Sequence, residues 1–302
     1  MHVREIARAK INLTLGVLGR RPDGYHEIES LVVFAQIGDR VTLTPGPECG
    51  VATSGPFAGD IEGRNLLETA LGLLRGLDAE LQLGAVLLEK NLPVAAGLGG
   101  GSADAAALLR AVRRANPERA ASIPWHEVAA RLGADVPVCL AGVPALISSI
   151  GDRVDPLGTA YRLPSIAAVL VNPRLPLPTA QVYRALAAGP ASAGRPPTAP
   201  PAPLSDLASL AEFMCRRGND LEHPATAPLP AVADIKAALA AQPGCRIAAM
   251  SGSGPTCFGI FADDALATRA AAALAAMHPR WWVVATQLVG GSALSDPANV
   301  CS

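Results

Sequence analysis

Residues 90–112 read KNLPVAAGLGGGSADAAALLRAV. Four glycines fall within the five positions from Gly97 to Gly101, and an alanine- and leucine-rich run follows at once. Glycine gives a backbone cheap access to positive φ and lets a ligand approach closely, whereas alanine is the best helix former. In that order they predict a tight turn feeding a helix over residues 102–115, with a strand over 81–88 leading in. The first N–H groups of such a helix lack intrahelical acceptors and point at one spot. The helix dipole adds partial positive charge there, contributing about 0.3–1 kcal/mol per charge interaction when exposed. The product is an anion site, and phosphate is its usual guest. Ser102 can cap the helix and add a hydroxyl.

Two familiar phosphate loops do not fit. A P-loop needs Gly-Lys-Ser/Thr at its end, but Gly101 is followed directly by Ser102. A dinucleotide fingerprint would read Gly97-x-Gly99-x-x-Ser102, with serine at the third glycine position. Such fingerprints also tend to open their domain, whereas this loop begins well into the chain.

The chain has 302 residues, half of them apolar, enough for two domains each with its own core. Its formal net charge is −1 and no basic block appears, which argues against nucleic acid as a partner. No two of the six cysteines have C-x-x-C spacing and the five histidines are scattered, so a zinc site is not expected. The cysteines read as small buried hydrophobes in a reduced compartment. The opening MHVREIARAK lacks the apolar core of a signal peptide. The uncharged run from Val136 to Gly151 carries Pro137 and Pro144 and is shorter than the ~20 residues of a membrane span. The expectation is a cytoplasmic protein with no membrane partner.

Strands are expected over 9–18, 28–37 and 41–44, with turns at Pro22-Asp23-Gly24 and Gly38-Asp39. Helices are expected over 65–77 and 125–132. A second block opens near Ser165, with a strand over 166–171 and a helix over 179–188. The stretch AAGPASAGRPPTAPPAPLS, residues 187–205, is a linker by composition. Helices over 235–241 and 265–277 and strands over 246–250, 256–261 and 281–288 follow. Strands and helices mix without βαβ repetition, so the fold class is α+β in two domains, 1–158 and 159–302.

The loop Pro93-Val94-Ala95-Ala96-Gly97-Leu98-Gly99-Gly100-Gly101-Ser102-Ala103 fits the pattern P-x-x-x-G-L-G-x-[GS]-[SA] throughout. In this the chain resembles the GHMP kinases. Four further segments, AKINLTLGVLGRRPDGYHEIES (9–30), RLGADVPVCLAG (131–142), RGNDLE (217–222) and MSGSGPTCFGIF (250–261), resemble the branch that phosphorylates 4-diphosphocytidyl-2-C-methyl-D-erythritol. The resemblance runs in order along nearly the whole chain.

It implies the two-domain GHMP kinase fold, with the active site in the cleft between domains. It also implies ATP-dependent transfer of phosphate to the 2-hydroxyl of that substrate, with Mg²⁺, in the non-mevalonate route to isoprenoids. Lys10 and Asp135 match the catalytic pair. Pro93 to Ala103 match the ATP-phosphate loop, and Asn65 a residue near the adenosine. Tyr25 and His26 match the pair that holds the cytosine. Asn12 lines the substrate pocket, and Thr179 and Tyr183 fall at further substrate contacts. The expected arrangement places Tyr25 and Tyr183 on opposite faces of the base with His26 at its edge. Ser251-Gly252-Ser253-Gly254 is expected beside the phosphate loop. The metal ligands stay unassigned, and the assembly is a monomer or homodimer.

The chemistry of the residues agrees. Phosphoryl transfer has a loose transition state, so catalysis is mostly positioning and charge stabilisation. A carboxylate can take the hydroxyl proton while a lysine holds it in place and neutralises developing charge. Two other readings compete: a kinase of the same superfamily acting on homoserine or mevalonate, and a non-catalytic nucleotide-binding sensor. Asp23-Gly24-Tyr25-His26 argues against the first, which has no cytosine to hold. Presence of both Lys10 and Asp135 argues against the second. A dinucleotide-dependent oxidoreductase is a distant third.

Overall fold

The structure, a computed structural model, describes residues 2–63, 65–158, 165–187, 189, 204 and 206–289. All but Gly189 of the Pro/Ala-rich stretch 189–203 therefore lies outside the described residues. In chain order the elements are β1 (Val3–Asn12), β2 (Gly16–Arg20), β3 (His26–Pro45), β4 (Gly50–Ser54), α1 (Leu66–Leu77), β5 (Gly84–Glu89), α2 (Gly100–Ala115), α3 (Trp125–Leu132) and α4 (Val136–Ala141). There follow β6 (Ala145–Ser149), β7 (Arg153–Pro156), β8 (Ile166–Asn172), α5 (Thr179–Leu186), α6 (Leu207–Arg217), α7 (Glu222–Thr226), α8 (Ala231–Ala240), β9 (Cys245–Met250), β10 (Cys257–Phe261), α9 (Asp264–Met277) and β11 (Trp282–Val289). No helix among the described residues is long and apolar enough to cross a membrane.

The chain forms two compact units that alternate along the sequence. The first comprises Met1–Lys10, Ile37–Val94 and Gly99–Gly142. Here β5 pairs antiparallel with the second half of β3, Arg40–Pro45, and parallel with β4. The helices α1, α3 and α4 pack on α2. Alanines make that possible: Ala103, Ala105, Ala106, Ala107 and Ala111 are all buried, and their small side chains let neighbouring helices approach closely. Leu108, Leu109 and Val112 fill the remaining space. Burying each such side chain contributes about 1.5–3 kcal/mol.

The second unit comprises Ile11–Gln36, Ala95–Leu98 and Val143–Ser302. Strand β8, IAAVLVN, is buried along its whole length. It lies between β11 and β10, antiparallel to both, and β9 pairs outside β10. A strand covered on both faces reads as a continuous apolar run rather than an alternation, as this one does. The helices α8 and α9 pack on these strands, with Ile235, Leu239, Ala270 and Leu274 in the shared core. The first half of β3 pairs with β2 and β6, and its Phe34 and Ala35 pair with β11.

Two expectations are corrected. The turn at Gly38-Asp39 does not exist, because β3 runs unbroken through it. Gly38 is there for contact: a Cβ on it would lie 2.2 Å from the Ala7 carbonyl oxygen. Asp39 is fully buried and binds inward. The strand expected over 9–18 is two, β1 and β2, with Leu13 and Leu15 N–H groups turning to Leu31 and Gly218 carbonyls. The helices α4, α6 and α7 were not expected. In α4 the proline sits within the first turn, where its missing N–H costs nothing.

Candidate active site

The chain enters the glycine loop from β5 and leaves it into α2. Gly97 and Gly99 have φ of 72° and 62°, and Ala95 joins them at 51°. Gly99 is the N-cap of α2 and offers no capping side chain. The leading N–H groups of this 16-residue helix are thus without a side-chain cap. That cradle suits an anion such as a nucleotide phosphate.

Lys10 lies under the cradle. A Cβ on Gly99 would sit 3.1 Å from the Lys10 Cβ and 3.2 Å from its Cε, so the glycine lets the backbone pass over the lysine stem. Lys10 comes from the end of β1 and is buried. Its ammonium donates to Asp135 Oδ1 at 2.6 Å. Asp135 occupies the N-cap position of α4 but makes no capping bond. Its carboxylate is not consumed by the helix, and its side chain remains 36% exposed, open to a reactant. Asn65 caps α1 by accepting from the Leu67 N–H at 3.0 Å. Its other side-chain atom, Nδ2, is buried without a partner among the described residues.

In the second unit the segment Ala95–Leu98 rests on the loop between β9 and β10. The Thr256 N–H donates to the Ala96 carbonyl at 3.2 Å. The Ser251 hydroxyl donates to the Gly97 carbonyl at 3.0 Å and accepts from the Asn12 N–H at 3.1 Å. Asn12 is buried and donates through Nδ2 to Ser30 Oγ at 2.7 Å, while its Oδ1 has no partner among the described residues. Thr179 Oγ1 and Ser253 Oγ are 2.8 Å apart. Thr179 and Tyr183 are one turn apart on the same face of α5.

The Tyr183 ring meets His26, with centroids 4.6 Å apart and planes at 31°. Burial and the neighbouring Arg20 lower the His26 pKa, which favours the neutral ring. Tyr25 is 60% exposed at the tip of its turn, where Asp23 Oδ1 accepts its N–H at 3.1 Å. The structure thus puts His26, one residue on, against Tyr183.

Sequence reasoning missed a buried cluster behind the loop. Lys90 Nζ donates to Asp39 Oδ2 at 2.5 Å and to Asp104 Oδ2 at 2.8 Å. Burial pushes Asp104 up to about 7, against the pull of Lys90. The available signal was a lone aspartate in an apolar strand, which reads equally as a turn. No group of three or more His, Cys, Asp or Glu that could hold a metal ion occurs among the described residues.

The description "GHMP kinases N terminal domain" matches residues 65–143, and "GHMP kinases C terminal" matches residues 200–280. The chain is 48% identical to the 4-diphosphocytidyl-2-C-methyl-D-erythritol kinase of Rhodopseudomonas palustris, over 95% of this chain and 98% of that protein. It is 46% identical to the protein of the same name from Paramagnetospirillum magneticum, over 94% and 97%. A crystal structure of 4-(cytidine 5'-diphospho)-2C-methyl-D-erythritol kinase, 37% identical, superposes with a TM-score of 0.73 and covers 95% of this chain and 100% of that one. Homoserine kinase from Cytophaga hutchinsonii, 17% identical over 96% of each chain, shares the fold with a TM-score of 0.68.

Proposed function

The chain belongs to the 4-diphosphocytidyl-2-C-methyl-D-erythritol kinases of the GHMP kinase superfamily, and from that membership we propose the assignment of its chemistry to particular residues. It is an ATP-dependent small-molecule kinase that phosphorylates 4-diphosphocytidyl-2-C-methyl-D-erythritol on the route to isoprenoids. One observation carries the residue assignment: Lys10 is pinned between the glycine loop and Asp135.

The loop from Pro93 to Ala103 binds the ATP phosphates with its backbone N–H groups and the α2 N-terminus. Asn65 reaches the adenosine, which would give its unpartnered Nδ2 an acceptor. Asp135 accepts the proton of the substrate 2-hydroxyl as that oxygen attacks the γ-phosphorus and the bond to ADP breaks. Lys10 holds the carboxylate in place and offsets charge that develops on the phosphoryl oxygens. Mg²⁺ would arrive with the nucleotide and neutralise its phosphate charge, since such ions are held largely by phosphates and water.

Asn12, Thr179, Tyr183, His26 and Tyr25 bind the substrate. The orphan Asn12 Oδ1 suits a hydroxyl donor. The aromatic pair suits a flat base, with neutral His26 able to accept from its exocyclic amine. A base lying between Tyr25 and Tyr183 shares Tyr183 with His26. We place the enzyme in the cytoplasm as a monomer or homodimer.

The test is ADP release against a panel of hydroxyl acceptors. Release should depend on the cytidine diphosphate substrate and be at background with homoserine or mevalonate. Equal turnover of either alternative would overturn the substrate assignment.

A further inference from the structure

The cluster of Lys90, Asp39 and Asp104 takes no part in the proposed chemistry, yet it brackets the phosphate loop. Lys90 lies three residues before Pro93, where the loop begins, and Asp104 one residue after Ala103, where it ends. The Lys90 ammonium bonds both Asp104 and Asp39, and the three side chains are almost wholly buried. The second oxygen of Asp39 accepts the N–H groups of Asn91 at 2.6 Å and Leu92 at 2.7 Å. One carboxylate therefore fixes the three residues that lead into the loop. Through Lys90 the same carboxylate is tied to Asp104, in the second turn of the helix that leads out.

We propose that Lys90 is a positioning residue for ATP, tying the entry of the phosphate loop to its exit and so setting the spacing of the N–H groups that hold the phosphates. The proposal rests on the reading of the loop as the ATP-phosphate site. The geometry is close. A Cβ on Gly100 would lie 3.1 Å from Lys90 Nζ and 3.8 Å from Asp39 Oδ2, so the helix backbone is seated directly on the ammonium. Charge-assisted bonds of this kind are short, directional and strong, as a spacer requires. Removing one partner leaves another buried charge uncompensated, so Lys90→Met is the severe change and Asp104→Asn the mild one.

The experiment measures KM for ATP, KM for the cytidine substrate, kcat and thermal midpoint for the wild type, Lys90→Met, Asp104→Asn and Gly99→Val. Lys90→Met should raise KM for ATP at least tenfold and change KM for the cytidine substrate less than threefold. Asp104→Asn should move KM for ATP in the same direction by a smaller factor, and it decides the matter alone if Lys90→Met fails to fold. A fall in thermal midpoint with both KM values moving together would reduce the cluster to a structural role and overturn the proposal. If Gly99→Val raises KM for ATP while both cluster variants leave it unchanged, the clamp is wrong and the loop reading stands. If Gly99→Val leaves KM for ATP unchanged, the loop reading itself fails and the clamp falls with it.

Discussion

Asp135 sits where a helix-capping aspartate would sit, and its refusal to cap is informative. A carboxylate held by Lys10 at 2.6 Å and left out of the cap fits the general base we propose. Asp135→Asn is nearly isosteric but cannot take a proton. It should lower kcat by roughly 10²- to 10⁴-fold while leaving both KM values within a factor of about three. A variant keeping half its turnover would remove Asp135 from the mechanism. Asn65 caps α1 and, as we propose, contacts the adenosine, and substitution can separate the two. Asn65→Asp keeps the oxygen that caps α1, so the thermal midpoint should hold, but it loses the unpartnered Nδ2 and should raise KM for ATP. Asn65→Ala should lose about 1 kcal/mol of stability as well. Equal effects of the two changes on stability would mean that the cap contributes nothing. Lys10 and Asp135 are 125 positions apart, and only the resemblance joined them. Nothing in the sequence pairs a strand lysine with a distant aspartate. Lys90 and Asp39 were invisible for a related reason: a buried charge in an apolar strand has the same letters as an exposed turn.

At the scale of elements, the glycine loop was legible because its physics is local. Positive φ and a following helix former announce themselves in the letters. The structure adds a reason for Gly97 that the letters do not carry. A Cβ there would lie 2.6 Å from the Ser251 carbonyl oxygen and 2.7 Å from that of Gly254. Both are backbone atoms, which cannot swing aside. Gly97→Ala should cost about 1–3 kcal/mol in stability and raise KM for ATP more than tenfold. Unchanged KM and melting would show that the loop tolerates a methyl and is not pressed on its support. The α5 face is a second case. Tyr183 leans on His26, and Tyr183→Ala should raise KM for the cytidine substrate by roughly 5- to 150-fold, on the scale of one aromatic stacking on a base. An unmoved KM for that substrate would take α5 out of the base site. What the sequence misread were β3 and the short helices. The glycine and aspartate inside β3 serve a close backbone contact and a buried ion pair, neither of which is local.

For the molecule as a whole, the buried cluster gives a pH signature. Asp104 is pushed from 3.8 to about 7, so the folded state holds a proton that the unfolded chain has released. Stability from this group is fullest at low pH and falls as pH rises from about 4 to 7. Asp104→Asn cannot titrate and should flatten that fall. Melting curves taken between pH 5 and 7.5 check it, and parallel slopes for the two proteins would refute it. The alternation of the two units has a consequence for synthesis. The first unit is complete once residue 142 has emerged, but the sheet partner of Phe34 and Ala35 is β11, near the far end of the chain. On the ribosome Phe34 and Ala35 therefore wait almost the whole of translation for that neighbour. A nascent chain of this kind carries an unpaired strand edge for a long time, the species that holdase chaperones bind and that aggregates without them. Stalled chains ending before Trp282 should pull down such chaperones far more strongly than chains released at full length.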